Sequence, residues 1–247
     1  MIELSREERV NNAFVEMAST LVNDYDVVDL LSTLVHICTD LLSVEAGGIL
    51  LADVAGNLEL VASTSEEAEV VEIMVIAAGA GPCIDCYKTG SAISVPDLNN
   101  EGMAWPRFRG IALNQGFKSA HVTPLRLHGE VIGAMNLMGA AAQPMSERDV
   151  QLAQALADVA TIGILHERNL HHPGVVSTQL NLALDTRILV EQAKGVLVQH
   201  HPFTMTEAFT SLRGYAKSNT MTLRAISEEV IAGTIPVERV VVRAREG

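Results

Sequence analysis

The chain contains no apolar run long enough to cross a bilayer, and its longest candidate is interrupted near Gly79 and Gly81. Its first residues, MIELSREERVNN, are charged and lack the apolar core of a signal peptide. We therefore expect a cytoplasmic protein that does not associate with a membrane.

Recognisable catalytic patterns are also missing from the sequence. No Ser-His-Asp arrangement, carboxylate pair or phosphate-binding loop stands out along the chain. The sequence therefore predicts no enzyme activity, no catalytic residue and no cofactor.

Cysteine is scarce, with three residues in 247. Cys83 and Cys86 have the spacing of a zinc or redox pair, but no second pair follows to complete four zinc ligands. The adjacent histidines at 171–172 and 200–201 would diverge on a helix, so we predict no metal site. We interpret Cys83 and Cys86 as structural thiols. The alternative is a redox switch, favoured if a helix start at Cys83 lowers the pKa of its thiol.

Basic residues are few, and their distribution is uneven. The chain has 17 Lys and Arg against 30 Asp and Glu, which gives a net charge of −13. From Ser177 onward, eight basic residues stand against seven acidic ones, whereas residues 1–176 hold nine basic and 23 acidic residues. An acidic surface repels nucleic acid, so only the C-terminal region could approach RNA.

Hydrophobic periodicity predicts a mixed layer of helices and strands up to about residue 169. The expected helices are 4–22, 26–42, 66–78, 81–90, a helix late in 97–118, and 146–169; the expected strands are 46–52, 58–64, 92–95 and a hairpin around His128-Gly129. This order is typical of an α+β architecture with an antiparallel sheet.

The stretch from Leu180 to Ile231 predicts three further helices. The second of them begins at Thr204 with Glu207 three residues later, the pattern of a capping box. The first carries two opposite apolar stripes, which indicates two packing partners: its own helical bundle, and either the upstream domain or a second chain in a homodimer. Between the stripes, Arg187 and Lys194 lie on a polar strip that we expect to be free for a ligand.

These three helices resemble the ANTAR domain, an RNA-binding module of bacterial antitermination regulators. The resemblance rests on ALDTRILVEQAKGVLV, TEAFTSLRGYAKSNT and LRAISEEV, in order and at family spacing. It implies binding to paired RNA hairpin loops, usually as a dimer. Arg and Lys would contact phosphates, and Arg or Tyr would stack on splayed bases. The implied RNA-binding residues are Arg187, Ala193, Lys194, Gly195, Arg213, Tyr215 and Lys217.

The preceding region resembles a GAF domain, a small sensor fold. The resemblance rests on GPCIDCYKTG, ISVPDL, MAWPRF and PLRLHGEVIGAMNLM. It implies a small-molecule signal, of unknown identity, bound between the sheet and the segments 66–90 and 97–118. Cys83, Trp105 and Phe108 are the expected pocket residues. The NKFDE signature of cyclic-nucleotide-binding GAF domains is absent.

Together the two resemblances predict an α+β GAF-like sensor domain, with an antiparallel sheet and flanking helices, followed by a small all-α three-helix ANTAR-like domain. The expected boundaries are 1–170, a linker at 171–177, 178–236, and a tail at 237–247. The expected function is a signal-responsive, RNA-binding transcription antiterminator that acts on hairpin loops in nascent RNA. Two alternatives stay open: a GAF-fold, cysteine-dependent methionine-sulfoxide reductase, and a sensor whose helical tail only dimerises.

Overall fold

A computed structural model describes residues 5–22, 26–42, 44–127, 129–166 and 174–242, with only the backbone described at 21–22, 165–166, 174–180 and 242. The helices are α1 (Arg6–Val22), α2 (Val27–Leu41), α3 (Glu66–Ala78), α4 (Pro82–Thr89), α5 (Leu98–Glu101), α6 (Pro106–Asn114), α7 (Glu147–His166), α8 (Gly174–His200), α9 (Met205–Ser218), α10 (Leu223–Ile231) and α11 (Val237–Val242). The strands are β1 (Ala46–Ala52), β2 (Leu58–Ser63), β3 (Ile93–Val95), β4 (Ser119–Leu127) and β5 (Glu130–Gly139). Below, the sheet with α1 to α7 is the sheet region, and α8 to α11 form the helical region.

The five strands form one antiparallel sheet in the order β2-β1-β5-β4-β3. All seven residues of β1 are buried, which explains the apolar sequence AGGILLA. Asn136 of β5 pairs with Gly48 of β1 and with Val122 of β4. Because residues paired across antiparallel strands point to the same face, these three side-chain positions share one side of the sheet.

Helices cover both faces of the sheet. Two apolar clusters join one face to α3, α4 and α6 through residues such as Val71, Cys86 and Phe108. A third cluster lies on the opposite face and continues from α2 and α7 into the helical region, where it includes Leu197 and Leu212. The two regions therefore share one apolar core.

The structure confirms the predicted α+β architecture and the predicted helices of the C-terminal region. Thr204 and Glu207 form the expected capping box at the start of α9. Two boundaries differ from the expectation. α8 begins at Gly174, so residues 174–177 of the predicted linker are helical, while 171–173 lie outside the described residues. The predicted tail contains the fourth helix α11, because Val240 is buried in the shared core.

Within the described ranges, no single helix is long and apolar enough to cross a membrane. α3 and α4 reach that length and apolarity only as a pair, and they meet at an angle of 65°.

Candidate nucleic-acid interface and sensor pocket

The polar strip of α8 faces the sheet region rather than solvent. Arg187 donates hydrogen bonds to the backbone carbonyl of Leu60 on β2 and to the Glu69 carboxylate on α3, the latter at 2.9 Å. Its side chain is only 16% exposed. The expectation that this residue lies on a free face is therefore wrong for this conformation, and its RNA contact stays a prediction.

Lys194 lies further along the same strip and is also covered. Its ammonium group donates to both carboxylate oxygens of Glu191 at 2.8 Å, and its side chain is 8% exposed. A buried ammonium group needs such a partner, because an unpaired charge away from water is costly. Ala193 beside it is fully buried, whereas Gly195 is exposed and has nothing within 4 Å of an added Cβ.

Arg213 on α9 also binds the sheet region. Its guanidinium group forms an ion pair with Asp29 of α2 at 2.9 Å and donates to the hydroxyl group of Thr33, one helical turn further on. Tyr215 is partly buried and packs against the shared core. Lys217 is exposed. Of the seven predicted RNA-binding residues, only Gly195 and Lys217 are exposed in this structure.

Two more carboxylates of the sheet region bind backbone groups of the helical region. Asp26 accepts a hydrogen bond from the Arg224 N–H at 3.1 Å, and Glu66 accepts one from the Met205 N–H at 3.3 Å. Four acids, Asp26, Asp29, Glu66 and Glu69, are called the docking carboxylates below. Sequence reasoning used Asp26 and Asp29 only as helix starts and missed all four as contacts between regions.

The predicted pocket residues lie on the expected face of the sheet, but they are not all accessible. Cys83 and Phe108 are fully buried, each in a different apolar cluster. Trp105 is half-buried, and its indole N–H donates to the Asp85 carboxylate at 2.8 Å. Opening this site to a ligand would require these side chains to move.

Sequence reasoning missed a buried acid beside Cys83. Glu72 of α3 is fully buried and accepts hydrogen bonds from the Asn136 amide at 2.6 Å and from the Cys83 thiol at 3.5 Å. A Cβ added at Gly48 would lie 3.0 Å from the Glu72 Cγ, so the glycine makes room for the acid. Burial raises the pKa of Glu72 to about 7. The sequence signal is an acid at helical spacing between the apolar residues Ala68 and Val75.

The cysteines lie where the thiolate form is disfavoured. Burial raises the pKa of the Cys38 and Cys86 thiols to about 12. Burial and the neighbouring Glu72 raise the pKa of Cys83 well above its usual value. Since the thiolate is the reactive species, these are poor nucleophiles. Among the described residues, no group of three His, Cys, Asp or Glu side chains could hold a metal ion.

Comparison with known families agrees with this division of the chain. The family described as "GAF domain" matches residues 24–164, and the family described as "ANTAR domain" matches residues 178–231. No curated protein is similar enough to count as a match.

Several solved structures share the fold of the sheet region. The GAF domain of a phosphoenolpyruvate-protein phosphotransferase from Coxiella burnetii is 15% identical with a TM-score of 0.53, covering 66% of this chain and 96% of its own. The free methionine-R-sulfoxide reductase from Neisseria meningitidis, solved with its substrate, is 18% identical with a TM-score of 0.52, covering 67% of this chain and 94% of its own. At these identities the similarity establishes the fold alone.

Proposed function

The chain belongs to the GAF–ANTAR family, in which a GAF domain precedes an ANTAR domain, and on that premise we propose that it is a signal-responsive RNA-binding antiterminator. The ANTAR match at residues 178–231 carries this proposal, because it spans α9, α10 and most of α8. In this role the helical region binds paired hairpin loops of nascent RNA, and the sheet region senses a small molecule.

The residues of the helical region support RNA binding chemically. Arg187, Lys194, Arg213 and Lys217 supply four cations on two adjacent helices, α8 and α9, in a protein that is otherwise strongly acidic. Tyr215 offers an aromatic ring on the same helix as two of them. Cations for phosphates and a ring for an unstacked base are the groups with which proteins bind RNA loops.

We also propose that the functional form is a homodimer. Ile188 of α8 is 57% exposed and lines the same groove as the exposed Ile73 of α3. Leu58, Leu60 and Leu184 complete this apolar groove, whose volume is about 550 Å³. Exposed apolar patches of this kind are typical of protein interfaces.

The reductase alternative receives little support from the thiols. A cysteine-dependent reductase needs an accessible thiolate, whereas Cys38, Cys83 and Cys86 are fully buried and have raised pKa values. The similarity to methionine-R-sulfoxide reductases does not extend beyond the fold.

Lys217 gives the cleanest test of RNA binding, because it is exposed and takes no part in docking. Lys217→Ala in the full chain should weaken binding to an RNA with two hairpin loops and should flatten the log–log salt slope by about 0.7 to 0.9 if the contact is to phosphate. Lys88→Ala, an exposed lysine on α4 of the sheet region, is the matched control and should bind as wild type. Filter binding at several salt concentrations measures both quantities.

Read-through of a terminator in a transcription assay then tests antitermination. Wild type should raise read-through on a template with two hairpins and not on one whose loop sequences are scrambled. Equal RNA affinity of wild type, Lys217→Ala and Lys88→Ala would contradict the predicted interface. Absence of RNA binding by the folded dimer would leave the dimerisation-only tail as the better explanation.

A further inference from the structure

The contacts between the two regions pair acids of one with basic side chains and free N–H groups of the other. Asp29 binds Arg213 and Glu69 binds Arg187, while Asp26 and Glu66 accept from backbone N–H groups near the starts of α10 and α9. RNA would present phosphate oxygens to the same kinds of donor. We propose that the sheet region inhibits RNA binding by holding the helical region with carboxylates in place of RNA phosphates. This inference rests on the proposed function.

The position of the contacts makes docking and RNA binding mutually exclusive at two residues. Arg187 and Arg213 direct their guanidinium groups into ion pairs and further hydrogen bonds with the sheet region. Each guanidinium group directs two of its five N–H donors into the sheet region, and the two side chains are only 16% and 29% exposed, so a phosphate has little access to them. RNA contact by these arginines therefore requires the carboxylates to withdraw.

Although the two regions share an apolar core, the interface is incompletely packed around its polar contacts. The Arg213–Asp29 ion pair is partly exposed, at 29% and 27%, and pairs of this kind are individually weak. A cavity of about 40 Å³ lies between Val28, Val61 and Val190 beside Arg187. Another, of about 230 Å³, separates Glu16 and Asp26 from Lys217. Gaps of this kind forfeit packing energy that a permanent interface would retain.

One helix connects the predicted sensor pocket to the docking contacts. α3 carries Glu66 and Glu69 toward the helical region, and Glu72, one turn further on, into the buried site with Cys83 and Asn136. A ligand that displaces the Glu72 side chain would have to shift α3, because Gly48 and the sheet lie directly against that side chain. Such a shift would move Glu66 and Glu69 with it and release the helical region.

The test removes the two docking carboxylates that form ion pairs while keeping every predicted RNA contact. Asp29→Asn with Glu69→Gln in the full chain should weaken docking. The matched control is Asp40→Asn with Glu67→Gln, which changes the same charge on the same two helices. Asp40 and Glu67 are exposed, and their side chains form no hydrogen bond or ion pair within the described part of the chain, although the Asp40 carbonyl accepts a hydrogen bond from Arg9. The control therefore separates loss of docking from a general reduction of negative charge.

Without added ligand, the docking variant should bind two-hairpin RNA about tenfold more tightly than the control if roughly a tenth of the wild-type molecules are open. Amide hydrogen exchange should increase in α9 and α10 of the docking variant alone. Equal RNA affinity of the docking variant and the control, with faster exchange in the first, would overturn the inhibition. If the double change unfolds the chain, each single change should still raise affinity above its own control. Failure of all folded chains to bind RNA would instead refute the proposed function.

Discussion

A buried carboxyl group makes the free energy of unfolding depend on pH, and Glu72 is such a group. Its pKa rises from 4.5 to about 7 on folding, so the native state binds the proton more tightly than the unfolded chain does. The stabilisation is fully present below pH 4.5 and is lost as the pH rises to about 7. At about 1.4 kcal/mol for each pKa unit, the loss amounts to roughly 3 kcal/mol.

Glu72→Gln should abolish this decline, because the amide stays neutral and can still accept a hydrogen bond from Asn136. Urea unfolding at pH 4.5, 5.5, 6.5 and 7.5 measures the free energy of each variant. Burial lowers the pKa of His121, which adds an opposite trend, so the difference between wild type and variant is the quantity to compare. A difference that does not change with pH would show that folding leaves the pKa of Glu72 unchanged.

Cys83 and Cys86 should not act as a redox switch, because their thiols are buried and held in the protonated form. Replacing both with serine should leave RNA affinity unchanged and lower the free energy of unfolding by about 1 to 3 kcal/mol, the usual range for a buried polar change. RNA binding under reducing and oxidising conditions checks this. A redox-dependent affinity that disappears in the double variant would contradict it.

At the level of single elements, α9 depends on its capping box. The Thr204 side chain accepts a hydrogen bond from the Glu207 N–H, and the Glu207 carboxylate accepts one from the Thr204 N–H. Thr204→Ala should lower the free energy of unfolding by about 1 kcal/mol. Thr206→Ala, an exposed threonine within the first turn of the same helix, should have almost no effect. Thermal or urea unfolding of the two variants distinguishes loss of the cap from a general effect of removing threonine.

The elements were largely predictable because their signals are local. The Thr204–Glu207 pair marks the start of α9, and the glycines at 79 and 90 mark the ends of α3 and α4, where both adopt a left-handed conformation. The orientation of the polar strip on α8 was not predictable. Arg187 meets Glu69 across 118 positions of sequence, and Arg213 meets Asp29 across 184. A polar helix face looks the same in sequence whether it faces water, RNA or another region of the chain.

Across the whole molecule, the acidic residues of 1–176 oppose RNA binding in two ways when the helical region is bound to the sheet region. The excess of acids in residues 1–176 would repel RNA at long range, and four of those acids also hold the helical region directly. Exposed acids and docking carboxylates therefore oppose RNA by different routes. General repulsion acts on any anionic ligand, whereas docking acts only on the residues that it covers.

These two routes predict different salt dependences for RNA binding. Salt weakens contacts to phosphate, and it also screens the Arg187–Glu69 and Arg213–Asp29 ion pairs, which favours the open form. In wild type the two effects partly cancel. The logarithm of RNA affinity should therefore fall less steeply with the logarithm of salt concentration in wild type than in the double variant Asp29→Asn with Glu69→Gln. The Asp40→Asn with Glu67→Gln control keeps both ion pairs and should keep the shallower slope. Titrations of the three full-length chains with one hairpin RNA, from low to high salt, measure the slopes. Parallel lines for all three would mean that the ion pairs do not control access to RNA.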